Sequence, residues 1–390
     1  MKKICLVFFV FYHLSSVIAQ DDVNLDISPD ASGVKAISGN LFVAGKKNNA
    51  TKIKNQQRTN TCWSFSATSL IESQTIKNNL GPYDLSEMFT VRNLYIEKAQ
   101  NYILRQGHAQ FSEGGLGHDV IRSYATYGAV PESAYSGNVK GEKLNNHLIL
   151  IKQLKTYLDS TLKTQGAPLS SNWLPGFNQI LDRQMGELPQ TFIYNNKKFT
   201  PQTFAKNALK FNADDYINIT SFTHHPFYAP FIIEVPDNFS NGSYYNLPLN
   251  EMIDLVKSAI ENGYSVSWDA DVSNNGFNSK TGVALNIKDN DSTMRRVTDP
   301  DSKEEKWDQN IRQQLFENLT TQDDHLMHIV GIEKSKGGKT FFIVKNSWGE
   351  SGPYKGYMHV SESYFAINTI SLVVPKAAVG LGLREKVNGK

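Results

Sequence analysis

The chain has 390 residues, 40% of them hydrophobic and 20% charged, with a formal charge of +2. That is an ordinary globular mix, long enough for two or three structural units with cores of their own. No stretch after the N-terminus approaches the roughly 20 apolar residues of a membrane span, and a charge this close to zero excludes the basic footprint of a nucleic-acid binder.

Residues 1–19 stand apart. Lys2 and Lys3 precede an apolar run from Ile4 to Tyr12, and Val17-Ile18-Ala19 gives a small-residue cleavage site before Gln20. This is the pattern of a secretory signal peptide. The expected mature chain starts near Gln20 and is exported, to a periplasm or to the extracellular space. Its formal charge falls to 0, because Lys2 and Lys3 leave with the leader and no acidic residue does. Cys5 leaves too, so Cys62 remains as a lone cysteine that cannot form an internal disulfide. Exported chains usually pair their cysteines or dispense with them. A lone one is either a small buried hydrophobe or a reactive thiol, and its neighbours decide.

Residues 20–50 are polar and weakly patterned, with Asp21, Asp22, Asp26 and Asp30 ahead of Ser/Gly/Asn-rich sequence, and predict an extended arm. Residues 51–137 predict a helical half. From Cys62 onward Trp63, Ala67, Leu70 and Gln74 share one helical face, broadened by Ile71. Asn60 or Thr61 can cap this helix. Cys62 then sits at a helix N-terminus, where unpaired N–H groups and the macrodipole favour a thiolate. Glu113-Gly114-Gly115-Leu116-Gly117 follows, its glycines marking a turn or a close backbone approach. A further helix carries Val120, Tyr124 and Tyr127 and stops at Gly128.

Residues 138–248 predict a mainly helical insertion. Ile151, Leu154, Leu158 and Leu162 form one stripe, and Thr200-Pro201 is a good N-cap and N1 pair before Phe204, Ala208 and Phe211. His224-His225 reads as loop, since no carboxylate or cysteine stands near it at metal-site spacing. Residues 249–365 predict a strand-rich half. It opens with an amphipathic helix carrying Met252, Leu255, Val256, Ala259 and Ile260. Tyr264, Val266 and Trp268 then alternate with Ser265, Ser267 and Asp269. Residues 285–320 are charged and irregular, a surface excursion. Strands are expected over His325–Ile332, Thr340–Lys345 and Gly356–Val360. Residues 366–390 form a tail. Helices first and strands last predict an α+β fold with segregated halves and a cleft between them.

A thiolate nucleophile needs a base, a group to orient that base, and donors for the oxyanion. His325 and His328 lie in Asp323-Asp324-His325-Leu326-Met327-His328 at a strand start. Downstream, Lys345-Asn346-Ser347-Trp348-Gly349 offers an amide carbonyl that can accept an imidazole N–H, and an indole that can shield it. No Glu follows His325 as a His-Glu-x-x-His metal site requires.

Taken together, Gln56-x5-Cys62-Trp63-Ser64-Phe65-Ser66, Asp324-His325 and Asn346-Ser347-Trp348-Gly349 resemble the three signature regions of papain-like cysteine peptidases. The family's upstream cysteine and glycine are replaced by Thr59 and Asn60, so its usual disulfide there is missing. Alignment with the family's Asp-His motif puts the base on His325 and leaves His328 structural. Cys62 and His325 stand 263 positions apart, against roughly 130–150 in papain and the cathepsins. The excess matches the insertion and points to the bleomycin hydrolase and aminopeptidase C branch. The resemblance implies a papain-like two-subdomain fold, with the insertion added, and hydrolysis of peptide substrates through a thioester. It makes Cys62 the nucleophile, His325 the base, Asn346 its orienting group and Gln56, rather than Gln57, the oxyanion donor. Trp348 covers the His325–Asn346 contact, and Gly114 and Gly115 form a wall that pairs with substrate backbone. It implies no cofactor and no metal, and a homo-oligomer. The branch uses its own C-terminal tail to direct aminopeptidase action. This tail ends in Lys390, so an open-cleft endopeptidase stands as an alternative; a separate one is a peptide-binding protein with a catalytically silent site.

Overall fold

A computed structural model describes residues 17–18, 41–139, 146–164, 169, 172–288, 299–380 and 383. The predicted leader and arm lie outside these up to residue 40, Val17 and Ile18 apart. So does the tail beyond Gly380, Leu383 apart. Among the described residues no helix is long and apolar enough to cross a membrane.

The fold is α+β. Three helices, α1 (Cys62–Lys77), α2 (Glu87–Leu104) and α3 (Gly117–Tyr127), pack on one another and share a core with the insertion. The second core lies between the helix Leu249–Glu261 and a large mixed sheet. Across that sheet the strands run Pro230–Ile232, Ser243–Asn246, Tyr216–Thr220, Thr369–Pro375, Val266–Ala270, His325–Ser335, Thr340–Lys345, Tyr357–Ser361, Val283–Ala284 and Phe277–Asn278, with Phe42–Lys47 also paired to His325–Ser335. The expected strands and the helix after Pro248 fall within a few residues of these bounds. The helix keeps a 3.6-residue apolar period, and the strands from His325 and Thr340 are apolar runs bounded by a turn.

α1 differs from the amphipathic helix its stripe suggests. It is wedged between the helical half and the sheet, so polar residues are buried with Trp63, Ala67 and Leu70. Each needs a partner, because an unpaired buried hydroxyl costs more than a bond contributes. Ser64 Oγ donates to the Glu87 carbonyl at 2.9 Å, Ser66 Oγ meets Ser267 Oγ at 2.8 Å, and Ser69 Oγ meets His328 Nδ1 at 2.8 Å. Apart from Ser64, these partners belong to the sheet, so the bonds lock α1 against both halves at once.

The insertion is helical only at first. His147–Thr164 and Trp173–Met185 pack beside α2, with the Tyr102 hydroxyl donating to Asp159 at 2.5 Å and an Arg92–Asp182 ion pair. Thr200 caps Pro201–Thr203, accepting from the Thr203 N–H at 3.2 Å, but the turn widens at Phe204–Ala208 and ends. The rest runs in short strands, three of which, Tyr216–Thr220, Pro230–Ile232 and Ser243–Asn246, extend the main sheet. Between strands, residues 233–242 form a tight loop. Asn238 Nδ2 donates to the carbonyls of Ile233 and Gly242, both at 3.0 Å. His118 of α3 pins this loop through Ser240 Oγ and Tyr244 Oη, both at 2.8 Å.

Candidate active site

The two halves meet at a cleft of about 340 Å³ lined by Gln56, Cys62, Gly114, Gly115, His325 and Trp348. Cys62 is the first residue of α1 and is buried at 7% exposure. Thr61 occupies the N-cap position, yet its side chain makes no capping bond. Its hydroxyl meets Thr59 Oγ1 at 2.6 Å, and Thr59 also donates to the Gln56 carbonyl at 2.7 Å. These hydroxyls tie the turn where the resembling family carries a cysteine. Asn60 stands at φ +45°, a left-handed conformation that Asn tolerates better than most residues and that suits the family's glycine. Its amide donates to Glu113 Oε2 at 2.7 Å. With neither side chain capping, the Thr61 carbonyl takes the N–H groups of Ser64, at 2.9 Å, and Phe65, at 3.4 Å.

His325 Nε2 lies 2.8 Å from Asn346 Oδ1. The Ser347 N–H donates to the same Oδ1 at 2.7 Å, which fixes the oxygen, not the amide nitrogen, toward the ring. His325 therefore carries its proton on Nε2, and Nδ1 is the basic nitrogen. The register explains the approach. Lys345 lies opposite His328 on the antiparallel pair, so the chain leaving it passes back along the start of the His325 strand. Trp348 then stacks on the imidazole with centroids 4.6 Å apart. Cys62 accepts a hydrogen bond from the backbone of Leu326, the residue after His325, which brings the thiol to the same strand end.

Burial dominates the electrostatics. It pushes the Cys62 thiol up to about 12, against the Leu326 bond that pulls it down. It pushes His325 down to about 4, against the Asn346 bond. The helix N-terminus alone thus does not yield a standing thiolate. Each group resists charging singly, and the charge separation this site tolerates is a proton passed from one to the other.

Gln56 is buried, whereas Gln57 is half-buried and does not line the cleft. Ser347 Oγ donates to Gln56 Oε1 at 2.6 Å. With its oxygen so held, Gln56 can offer its amide N–H groups elsewhere. This orienting role of Ser347 was not anticipated, although Ser347 lies inside the motif that holds Asn346. Gly114 and Gly115 owe their identity to space, since neither has a positive φ. A Cβ on Gly114 would lie 1.8 Å from Asp237 Oδ2, and one on Gly115 would lie 3.1 Å from the Trp63 ring. Trp63 Nε1 holds this segment by donating to the Glu113 carbonyl at 3.0 Å.

His328 sits apart from the thiol. Its partner Ser69 is seven residues along α1, about two turns or 10 Å from Cys62. Lys345 Nζ also donates to Ser69 Oγ, at 2.8 Å. The His224-His225 pair gains a carboxylate that spacing alone did not reveal. Glu234 lies 3.1 Å from His224 Nε2 and 2.8 Å from His225 Nε2. For His224 the tautomer argues against a metal ligand. Gln313 Oε1 accepts from the Thr223 N–H at 2.6 Å, so Gln313 Nε2 donates to His224 Nδ1 at 2.9 Å, leaving the proton on Nε2 toward Glu234.

Residues 108–389 match the model of the peptidase C1-like family, and residues 42–135 match that of the papain family of cysteine proteases. Aminopeptidase W of Lactobacillus delbrueckii subsp. lactis is 24% identical over 377 residues, covering 84% of this chain and 81% of that protein. Aminopeptidase C of Listeria monocytogenes is 26% identical over 384 residues, covering 86% and 83%. Bleomycin hydrolase of Mus musculus is 21% identical over 378 residues, covering 84% and 81%. The crystal structure of PepW from Lactobacillus rhamnosis shares the fold with a TM-score of 0.72 at 20% identity, covering 91% of this chain and 86% of that one.

Proposed function

The chain belongs to the peptidase C1-like family, and we propose that it is a cysteine aminopeptidase in which Cys62, His325, Asn346 and Gln56 carry the reaction. The observation that carries this reading is the buried thiol at the start of α1, beside an imidazole whose basic Nδ1 is left free by the Nε2–Asn346 bond. His325 Nδ1 takes the Cys62 proton as Sγ attacks the peptide carbonyl carbon. The oxyanion is held by the Gln56 amide and the Cys62 backbone N–H. His325 then passes the proton to the leaving amine as the C–N bond breaks, giving a thioester. Water, deprotonated by His325, hydrolyses the thioester and restores the thiol. Asn346 keeps the imidazole in the tautomer this cycle needs, and Trp348 screens that bond. Gly114 and Gly115 line the acyl side of the cleft, where substrate backbone can approach closely.

The aminopeptidase reading is supported by the names of the relatives. The expected tail over 366–390 is corrected in its first part, which runs through the main sheet as the buried strand Thr369–Pro375; beyond Gly380 it lies outside the described residues, Leu383 apart. The leader supports export, with a mature N-terminus near Gln20. N-terminal sequencing of protein recovered outside the cytoplasm tests this, and an intact Met1 would overturn it. Activity is tested on a panel of fluorogenic peptides, free and N-acetylated, with Cys62→Ala as the control. Cleavage of free amines alone is expected. Equal rates on free and acetylated peptides favour the open-cleft endopeptidase, and no cleavage at all favours a peptide-binding protein.

A further inference from the structure

Beside the thiol, the cleft carries an excess of carboxylates. Asp237, Asp323, Asp324 and Glu113 line it, and Asp269 lies under Asp323. Their partners differ. Asp324 Oδ2 accepts from the N–H groups of Val272 and Ser273 at 3.2 and 3.1 Å. Asp237 Oδ1 accepts from Gln110 Nε2 at 3.1 Å and Ser112 Oγ at 3.5 Å. Asp323 finds another carboxyl, that of Asp269. Asp269 is 1% exposed, and its Oδ2 accepts from Ser371 Oγ at 3.0 Å, but Oδ1 meets no donor. Glu113, at 8% exposure, repeats the pattern. Its Oε2 accepts from Asn60, and Oε1 meets no donor. Among the described residues, the ammonium facing this group is that of Lys98. It is already committed to the carbonyls of Ser112, at 2.9 Å, and Gly114.

Asp269 is buried and Asp323 half-buried, and two carboxyls in contact there resist holding two negative charges. Burial pushes both upward, Asp269 to about 7 against the hydrogen bonds from Asp323 and Ser371 that pull it down, while the charge of Asp269 pushes Asp323 up further. Among the described residues Lys98, tied to backbone carbonyls, is the cation facing this group, and Asp323 lines the cleft together with Gly114 and Gly115. We propose that Asp323 and Asp237, with Asp269 beneath them, form a subsite for a cationic group on the acyl side of the scissile bond. The cation is the substrate's α-ammonium or the side chain of a Lys or Arg residue. This rests on the proposed peptidase function and names the substrate class of that site. An α-ammonium held by Asp323 would direct aminopeptidase action from side chains within the cleft.

The test compares four fluorogenic peptides: a neutral residue with a free α-amine, the same residue N-acetylated, and N-acetylated dipeptides with Arg or citrulline before a leucine at the scissile bond. The ratio of kcat/KM between each cationic substrate and its neutral partner is measured for wild type, Asp323→Asn and Asp237→Asn. We expect wild type to favour at least one cationic substrate tenfold or more, and Asp323→Asn to lose most of that preference. Loss confined to the free amine assigns the α-ammonium, and loss confined to the Arg peptide assigns the side chain. A wild type without preference, or variants that keep the wild-type ratio, overturns the proposal. Should Asp323→Asn not fold, Asp237→Asn on the half-exposed loop decides.

A second readout needs no turnover. Argininamide should slow alkylation of Cys62 by iodoacetamide, N-acetylcitrullinamide should not, and Asp323→Asn should abolish the protection. Protection without cleavage keeps the subsite and defeats the peptidase reading. Cleavage with neither protection nor cation preference does the reverse.

Discussion

Replacing Asp269 by asparagine keeps the size of the side chain and an oxygen for Ser371, and removes a charge that appears only as pH rises. In the folded protein burial pushes this carboxyl up to about 7, against an ordinary 3.8. The native state therefore binds the proton more tightly than the unfolded chain. Its contribution to stability is full below pH 4 and is lost as pH climbs through 7. At about 1.4 kcal/mol per pH decade, the loss amounts to about 4 kcal/mol by pH 8. Asp269→Asn should escape it. Urea unfolding of both proteins between pH 4 and pH 8 reads the difference. The variant should match wild type or fall slightly below it near pH 4, and should gain on it by up to about 4 kcal/mol toward pH 8. A difference that stays flat across this range, or grows in the other direction, would show that the carboxyl ionises normally and that the Asp269–Asp323 contact is not a shared proton.

Three further changes probe the catalytic side of the cleft. His325→Ala leaves Cys62 to ionise alone in a buried site, where its thiol is pushed to about 12. Alkylation by iodoacetamide at pH 7 should fall at least about a hundredfold and recover as pH rises; an unchanged rate would show the thiolate to be independent of the imidazole. Gln56→Ala should lower kcat by about 10²–10³ with little change in KM, as expected of a donor aimed at the developing oxyanion. A rise in KM alone would place Gln56 in substrate binding instead. Gly114→Ala drives a methyl into the Asp237 carboxylate. Thermal melting should register about 1–3 kcal/mol of destabilisation together with weaker peptide binding, and a neutral outcome would show that the 233–242 loop yields freely.

Much of this protein is legible in its sequence because some of its signals are local. Cys62 at a helix start follows from the apolar spacing after it, and the contact of His325 with Asn346 follows from two apolar strands, buried on both faces, joined by a short turn. The order of three short motifs suffices to indicate the family. Burial and approach between distant segments are not local, and there the structure decides. The stripe on α1 suggests one wet face, yet the helix is enclosed because α2 and α3 on one side and the sheet on the other close over it. The thiol's position predicts a thiolate, but the desolvation that opposes it depends on everything packed around the cleft. Ser347 turns the Gln56 amide across a gap of 291 residues. Asp237, Asp269 and Asp323 come from an insertion loop, a strand and the approach to another strand. No spacing rule links them, and only the tertiary fold sets their charges side by side.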